Sequence, residues 1–444
     1  MKTALILAYD FPPYVSVGGL RPYSWYKYFR EFGIYPVVVT RQWKNEYGNG
    51  LDYIAPSESK EVIVEKTQQG TIIRTPYKPN WANRLLLKYG EKRFRLFRKI
   101  ISGYYELMQW FFFVGPKAEL YKAANKYLSE NKIDVIIATG EPFILFRYAS
   151  VLSKKYGIPW LADYRDPWSQ NAFRSPNFFL RKLNGYMEKR YVKTASRIIT
   201  VSDFCKKQIK ILLPGKKYEI IINGYDPEIL QMAESEKSDT NNLVISYAGT
   251  VYDWHPLESF LKQCVTFVKK NQINNFRVNF YGINKEKWLK EMITKKYKEL
   301  EAVVFIHSRL PNHILAKELA KSHVLLLFND YSIAGTKIYD YLAVKRKILF
   351  CYSQDEKALL LKKKYYNLPD NLSSNEHLQE DIIKETRSGI IVKNEAHLVE
   401  VLDALYRELK EKGTVKCDTR NIEPFSRKAQ VQKMANIVKH LITT

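Results

Sequence analysis

The sequence predicts an α/β protein built from two doubly wound, Rossmann-like domains in tandem. Three observations predict it. A length of 444 residues favours two domains over one or three. Short apolar runs recur along the chain, as parallel strands buried on both faces require, and longer helical stretches separate them. The series is interrupted once, by the polar stretch Ala-Glu-Ser-Glu-Lys-Ser-Asp-Thr-Asn-Asn at residues 233–242, which has linker composition.

In the first series the expected strands are Ala4–Ala8, Pro36–Thr40, Val62–Val64, Ile72–Thr75, Val135–Thr139, Trp160–Asp163 and Ile198–Val201. Helices are expected over Pro22–Phe32, Ala118–Asn131 and Phe143–Lys155. In the second series the strands are Val244–Ala248, Arg277–Tyr281, Val303–His307, Val324–Phe328, Ile348–Cys351 and Gly389–Val392. Helices over Pro256–Lys269, Asn312–Lys321, Lys337–Val344 and His397–Leu409 alternate with them, and residues 427–444 read as a last amphipathic helix after Pro424. The domains expected are 1–225 and 243–422, followed by the helical segment 423–444. Open α/β sheets bind ligands beyond the carboxyl ends of their strands, so two such domains facing each other predict a central cleft.

Hydrophobic residues make up 46 % of the chain and charged residues 26 %, a globular composition. The net charge of +25 calls for an anionic partner: nucleic acid, anionic lipid or a phosphorylated substrate. No nucleic-acid-binding motif is present and the basic residues are spread widely, so no nucleic acid is expected. Cys205, Cys264, Cys351 and Cys417 are far apart, and the seven histidines form no ligand cluster, so neither a disulfide framework nor a metal is expected. The run Ala4–Ala8 ends at Tyr9-Asp10-Phe11-Pro12-Pro13 without a cleavage site and reads as a first strand rather than a signal peptide. No apolar run approaches the roughly 20 residues of a membrane span, and a cytoplasmic location is expected.

Several segments at strand ends carry candidate chemistry. Phe11-Pro12-Pro13-Tyr14 and Gly18-Gly19-Leu20-Arg21-Pro22 follow the first strand and open a helix, whose free N–H groups suit a phosphate. The pattern is not G-x-G-x-x-G, which argues against a nicotinamide cofactor. Asp163-Tyr164-Arg165-Asp166-Pro167-Trp168 closes another strand; its carboxylates can hold sugar hydroxyls, or Arg165 can pair with either of them as a structural bridge. In Gly335-Thr336-Lys337-Ile338-Tyr339-Asp340, Thr336 suits a helix N-cap, and Lys337 then falls in the first turn, a poor place for a cation unless an anion joins it. Asp340 lies about one turn on, where it can accept from ribose hydroxyls. Gly249 and Thr250 close the first strand of the second series and leave room for a diphosphate. His307-Ser308-Arg309-Leu310 ends another strand, where Arg309 can reach a phosphate.

Taken together, these residues resemble the family-4 group of GT-B glycosyltransferases. The resemblance is carried by Asp134–Pro142, Asp163–Trp168, Ile199–Ser202, Ile222–Asp226 and Thr336–Ala343, in that order and spacing. It implies a GT-B fold whose last helix packs back on the N-terminal domain. It implies a nucleotide-diphosphate sugar held as co-substrate by the second domain, with no tightly bound cofactor or metal. The acceptor, a growing glycan or lipid-linked, would bind the first domain, and transfer would retain anomeric configuration. Asp340 resembles the second acid of the family's Glu-x7-Glu motif, while Ser332 stands where the first acid is expected. Lys337 and Arg309 resemble diphosphate ligands, with Leu310, Gly335 and Thr336 beside them. Gly18, Gly19, Gly249 and Thr250 take the donor phosphates. Asp163, Arg165, Asp166 and Glu141 line the acceptor side, Asp166 positioning the acceptor. The other readings are a nucleotide-sugar epimerase of the same fold, an inactive copy and, from a different class, a nucleic-acid-binding protein.

Residues 84–99 hold seven basic residues and one acid, with Trp81, Tyr104, Tyr105, Trp110 and Phe111–Phe113 around them. A basic amphipathic stretch with aromatics predicts contact of residues 81–113 with an anionic membrane surface, at the inner face of the cell membrane.

Overall fold

The computed structural model describes residues 1–14, 16–44, 51–171, 178–272, 275–330, 334–352, 356, 360–361 and 377–443. The chain divides into two compact units, Met1–Ile222 with Gln430–Thr444, and Asn223–Ala429.

In the first unit the strands are β1 (Lys2–Leu7), β2 (Ile34–Arg41), β3 (Ile63–Lys66), β4 (Thr71–Thr75), β5 (Val135–Gly140), β6 (Trp160–Tyr164), β7 (Arg197–Thr200) and β8 (Tyr218–Ile220). They form one sheet in the order β3-β4-β2-β1-β5-β6-β7-β8, parallel except where β3 meets β4. The helices are α1 (Val17–Tyr28), α2 (Trp81–Tyr89), α3 (Arg95–Met108), α4 (Ala118–Glu130), α5 (Ile144–Tyr156), α6 (Phe178–Val192) and α7 (Asp203–Leu212). Continuous apolar runs in β1 and β5 serve both faces of the sheet. Leu5, Leu7, Ile136 and Ala138 point into one core; Ala4, Ile6, Val135 and Ile137 point into the other. The second core is completed by Val431, Met434, Ala435 and Val438, one stripe of the last helix.

The second unit has β9 (Leu243–Ala248), β10 (Phe276–Tyr281), β11 (Val304–His307), β12 (Val324–Phe328), β13 (Lys347–Cys351) and β14 (Gly389–Val392), all parallel, in the order β11-β10-β9-β12-β13-β14. Its helices are α8 (Pro227–Glu234), α9 (Leu257–Asn271), α10 (Glu286–Lys296), α11 (Asn312–Ala320), α12 (Thr336–Val344), α13 (Leu378–Thr386) and α14 (Glu395–Lys412); α15 (Arg427–Thr443) ends the chain. In each sheet the first strand separates neighbours reached in opposite directions: β1 lies between β2 and β5, and β9 between β10 and β12. The crevice at such a switch point, beyond the carboxyl ends of the strands, is where open α/β sheets take ligands.

Two local expectations are corrected, and one strand is added. The polar stretch read as linker begins inside α8, which Asp226 caps through a 3.2 Å bond from Glu228 N and Pro227 opens at its first position. Strand β8 was not foreseen: it starts with Tyr218-Glu219, and the short apolar run Ile220–Ile222 begins only at its last residue. Helix α1 starts at Val17 rather than Pro22, because Ser16 caps it.

One buried ion pair fixes α1 on the sheet. The Arg21 guanidinium meets Asp163 at the end of β6, with Nη2–Oδ1 at 2.8 Å and Nε–Oδ1 at 2.9 Å, and its Nη1 donates to Ile221 O at 2.7 Å. Both side chains are essentially sealed from solvent. Removing one partner leaves a buried uncompensated charge, so Asp163→Ala should lower the urea-unfolding free energy by about 3–5 kcal/mol. A loss below about 1 kcal/mol would show that the pair does not hold the helix.

Candidate functional site

At the switch point of the first sheet, the chain leaving β1 places Asp10 beside the first turn of α1. Ser16 Oγ donates to Asp10 Oδ2 at 2.6 Å and accepts from Gly18 N at 2.9 Å, so one hydroxyl caps the helix and orients the carboxylate. Asp10 Oδ1 is buried without a hydrogen-bond partner. Burial pushes the Asp10 pKa up, against the bond from Ser16 and the charge of Arg165. From the end of β6, Arg165 reaches across β5, its Nε donating to Gly140 O at 2.7 Å and its Nη2 to Glu141 O at 3.2 Å.

Gly18 and Gly19 therefore do not form a loop: both lie in the first turn of α1, and neither has a positive φ. The need for glycine is spatial. A Cβ on Gly18 would collide with Arg165 Nη1 and stand 2.8 Å from Asp10 Oδ2; one on Gly19 would press the Asp10 backbone at 3.4 Å. Of the acceptor-side residues named above, Asp163 is taken out of play, since it is fully buried and spends its charge on Arg21. Arg165 bridges neither neighbouring carboxylate but binds carbonyls. Asp166 and Glu141 stand exposed at the strand ends.

The segment carrying Arg165 and Asp166 is braced from below. Buried Glu188 accepts from Tyr164 Oη at 3.0 Å, from Ser169 N at 3.0 Å and from Ser169 Oγ at 2.5 Å. Trp168 stacks on Phe143 at 4.9 Å and on Trp110 at 5.0 Å between ring centroids. These contacts fix both ends of the turn that presents Asp166.

In the second unit, Tyr247, Gly249 and Lys337 come together at the switch point of β9 and β12. Lys337 Nζ donates to Tyr247 Oη at 2.6 Å and sits 3.8 Å from the ring centroid, while Tyr247 Oη donates to Thr250 O at 2.5 Å. Gly249 adopts φ +89°, which a side chain would strain, with Lys337 Cε 3.8 Å from its Cβ position. Ala248 N donates to Tyr341 Oη at 3.1 Å, clamping α12 to the strand end. Burial lowers the Lys337 pKa to about 8, against the charge of Asp330. Among the described residues, no carboxylate lies within ion-pair distance of Lys337. Thr336 is not the helix cap: Gly335 occupies that position and makes no side-chain bond, which leaves the first-turn N–H groups uncapped by a side chain.

Asp340, a turn later, has a buried Oδ1 without a hydrogen-bond partner; Arg427 Nη2 lies 3.9 Å from it and Arg427 Nη1 3.5 Å from Asp226. Burial raises the Asp340 pKa to about 6, against the Arg427 charge. Arg309 and Leu310 follow β11, beyond β10; Arg309 is exposed and its Cα packs against Gly282, 3.1 Å from the Cβ position there. No described contact joins Arg309 to Lys337. Ser332 lies outside the described residues. His307 is a packed residue, bonded to Asn279 Oδ1 at 3.0 Å and stacked on Tyr281 at 4.6 Å. Among the described residues, no group of three or more His, Cys, Asp or Glu could hold a metal ion.

Sequence reasoning missed Asp10, although a carboxylate directly after the first strand was a legible signal. It also missed the Asp330 cluster, in which Oδ1 meets Trp254 Nε1 at 3.1 Å and His255 Nε2 at 2.9 Å. Burial pushes the His255 pKa down. Nothing in the spacing of residues 254, 255 and 330 announces that contact.

The model of the family described as Glycosyltransferase Family 4 matches residues 85–229. No curated protein sequence matches the chain. Among solved structures, sucrose-phosphate synthase from Thermosynechococcus elongatus superposes with a TM-score of 0.61 at 13 % identity, over 100 % of both chains. The catalytic domain of starch synthase IV from Arabidopsis thaliana, bound to ADP and acarbose, gives 0.56 at 8 % identity over 100 % of this chain and 98 % of its own. HepE of Anabaena in complex with UDP gives 0.54 at 11 % identity over 99 % and 100 %. The fold is therefore GT-B, and residues 85–229 are similar to the Glycosyltransferase Family 4 model.

Gly18→Ala should force the Arg165 head out of its place and cost about 1–3 kcal/mol in urea unfolding. Combining it with Arg165→Ala should return most of that cost. Equal stability of Gly18→Ala and wild type would refute the steric account.

Proposed function

We propose that the protein transfers a sugar from a nucleotide-diphosphate sugar, held by the second unit, to an acceptor held by the first. The acceptor is a growing glycan or lipid-linked, and the anomeric configuration is retained. The observation that carries this reading is Lys337: a largely desolvated cation at the uncapped amino end of α12, where the helix dipole opposes it, with no ion-pair partner among the described residues. A diphosphate resolves that conflict by meeting the lysine and the first-turn N–H groups together. HepE binds UDP and starch synthase IV binds ADP, which supports a nucleoside diphosphate and leaves the base open.

In this reading the Gly249 turn gives the diphosphate room, and Asp340 accepts from the ribose hydroxyls with the Oδ1 that otherwise has no hydrogen-bond partner. Exposed Arg309 closes over the phosphates from β11. The bond from the anomeric carbon to the phosphate oxygen breaks through an oxocarbenium-like state, and the acceptor oxygen forms its bond on the same face. The acceptor proton passes to the leaving phosphate, whose charge Lys337 and the helix N–H groups stabilise. Asp166 and Glu141 hold acceptor hydroxyls, with Asp10 behind Gly18 as a further carboxylate. The protein works in the cytoplasm, peripherally at the inner face of the cell membrane. Epimerisation is separated from transfer by release of nucleoside diphosphate only when acceptor is present.

A thermal-shift panel of UDP-, GDP- and ADP-sugars should single out one base, with a stabilisation of about 2.7 kcal/mol at a hundredfold excess over Kd. No response to any of them would defeat the reading. Lys337→Ala should slow transfer by roughly 10²–10³-fold while the unfolding midpoint of the free protein holds.

Donor affinity should follow pH with two arms. Lys337 carries its charge below about 8 and Asp340 above about 6, so binding is strongest between these values and weakens on either side. An anion at Lys337 raises its pKa, so donor binding near pH 8 should take up a proton. Calorimetry in buffers of different ionisation heat reads that uptake, and Lys337→Ala should abolish it.

A further inference from the structure

Helix α3 has no fully buried side chain. Phe97, Ile100, Tyr104 and Leu107 form a single stripe at i, i+3, i+7 and i+10, all of them exposed, and Leu96 beside them is 74 % exposed. Trp81 at the start of α2 is 66 % exposed, and Phe111 and Phe112 beyond α3 are exposed as well. A contiguous apolar face of this kind marks an interaction surface. The hairpin that displays it is well specified: Asn80 caps α2 through a 2.9 Å bond from Asn83 N, Gly90 ends that helix at φ +75°, and α2 packs against α3. Trp110 and Phe113, which the sequence grouped with these aromatics, belong to the core instead. Trp110 is buried against Trp168, and Phe113 stacks on Tyr121 at 3.6 Å.

The same hairpin holds a cationic groove. Lys92, Arg95, Arg98, Lys99 and Ser102, with Leu86, line a cavity of about 740 Å³ between the helices, where Glu91 is the one acid. The Arg98 guanidinium is fixed by the carbonyl of Arg93 at 3.2 Å and by that of Glu91. One small element thus combines an uncovered apolar stripe with a fixed cluster of positive charge. Exposed basic side chains with long apolar stems can reach anionic groups while the stripe lies in hydrocarbon.

We infer that the α2–α3 hairpin is an in-plane membrane anchor with a lipid-phosphate site: the Phe97–Ile100–Tyr104 stripe enters an anionic leaflet, and the groove of Lys92, Arg95, Arg98 and Lys99 takes acidic headgroups. This deepens the proposed peripheral location and rests on that reading only for the claim that the acceptor is presented there. The apolar stripe supplies retention at high salt, and the groove supplies the choice of anionic over neutral lipid.

The test is co-sedimentation of the full chain with vesicles of phosphatidylcholine alone or with about a third phosphatidylglycerol, a composition chosen to give a negative surface potential. Wild type should bind the anionic vesicles at least roughly tenfold better than the neutral ones, a difference that salt screening should shrink. Phe97→Ser with Ile100→Ser should abolish binding. Arg95→Gln with Arg98→Gln and Lys99→Gln should reduce binding to anionic vesicles to the neutral level. Because Phe97 and Ile100 are exposed and the substituted basic residues lie outside the core, both variants should keep the wild-type unfolding midpoint and the wild-type thermal shift with donor. Vesicle binding without any donor response would leave the anchor standing and sink the proposed function; donor response without vesicle binding would do the reverse. The anchor is overturned by equal binding to neutral and anionic vesicles. It is also overturned by a lipid-free dimer that Phe97→Ser disperses, or by groove-dependent retention of nucleic acid with no retention on vesicles.

Discussion

The ion pair between Arg21 and Asp163 sets the geometry on which the first unit's site depends. An arginine in the second turn of α1 reaches a carboxylate at the tip of β6 and the carbonyl of Ile221 beyond it. One side chain therefore ties a helix, a strand end and the segment after β8 together. With α1 held in that position, its first turn comes against Arg165, and residue 18 can carry no side chain. Cap, glycine, guanidinium and the Asp10 carboxylate are consequences of one placement. A buried pair of this kind contributes less to stability than to uniqueness, because few alternative packings satisfy both charges at once.

The second unit solves a similar problem with a cation in an unfavourable place. Tyr247 gives Lys337 a hydroxyl and an aromatic face, yet burial still depresses its pKa. Asp340 is perturbed in the opposite sense a turn away. Two groups of opposite charge, each shifted toward neutrality by desolvation and neither paired with the other, thus lie about one turn apart on α12. Structural ion pairs elsewhere in the unit behave differently: Lys270 with Asp403 and Lys347 with Glu408 meet directly.

Much of this was legible in the sequence because its signals are local. Apolar runs announced nearly every parallel strand, and the alternation with helices announced the fold. The conflict at Lys337 could be read from one helix turn. What stayed hidden depended on distant partners. Asp163 looked like a ligand for sugar hydroxyls until Arg21, far away in the chain, proved to consume it. The glycine pair was read as a phosphate-binding helix start, while the steric reason for glycine, a guanidinium arriving from β6, belongs to another element. Thr336 fitted the cap position by composition, but the preceding extended residue was Gly335, and a one-residue shift is beyond what composition resolves. The aromatics of residues 104–113 split between core and surface for the same reason: hydrophobicity gives no address without the packing partner, and Trp168 and Tyr121 supply it for two of them only.

The absence of any fully buried side chain in α3 has an evolutionary meaning. A residue that supports a core is constrained by every neighbour it touches, and its replacement taxes the whole fold. The exposed stripe of α3 is free of that constraint, so its apolar residues and charges can be exchanged without unfolding the domain beneath. The outer face of α3 can therefore change faster than the sheet beneath it.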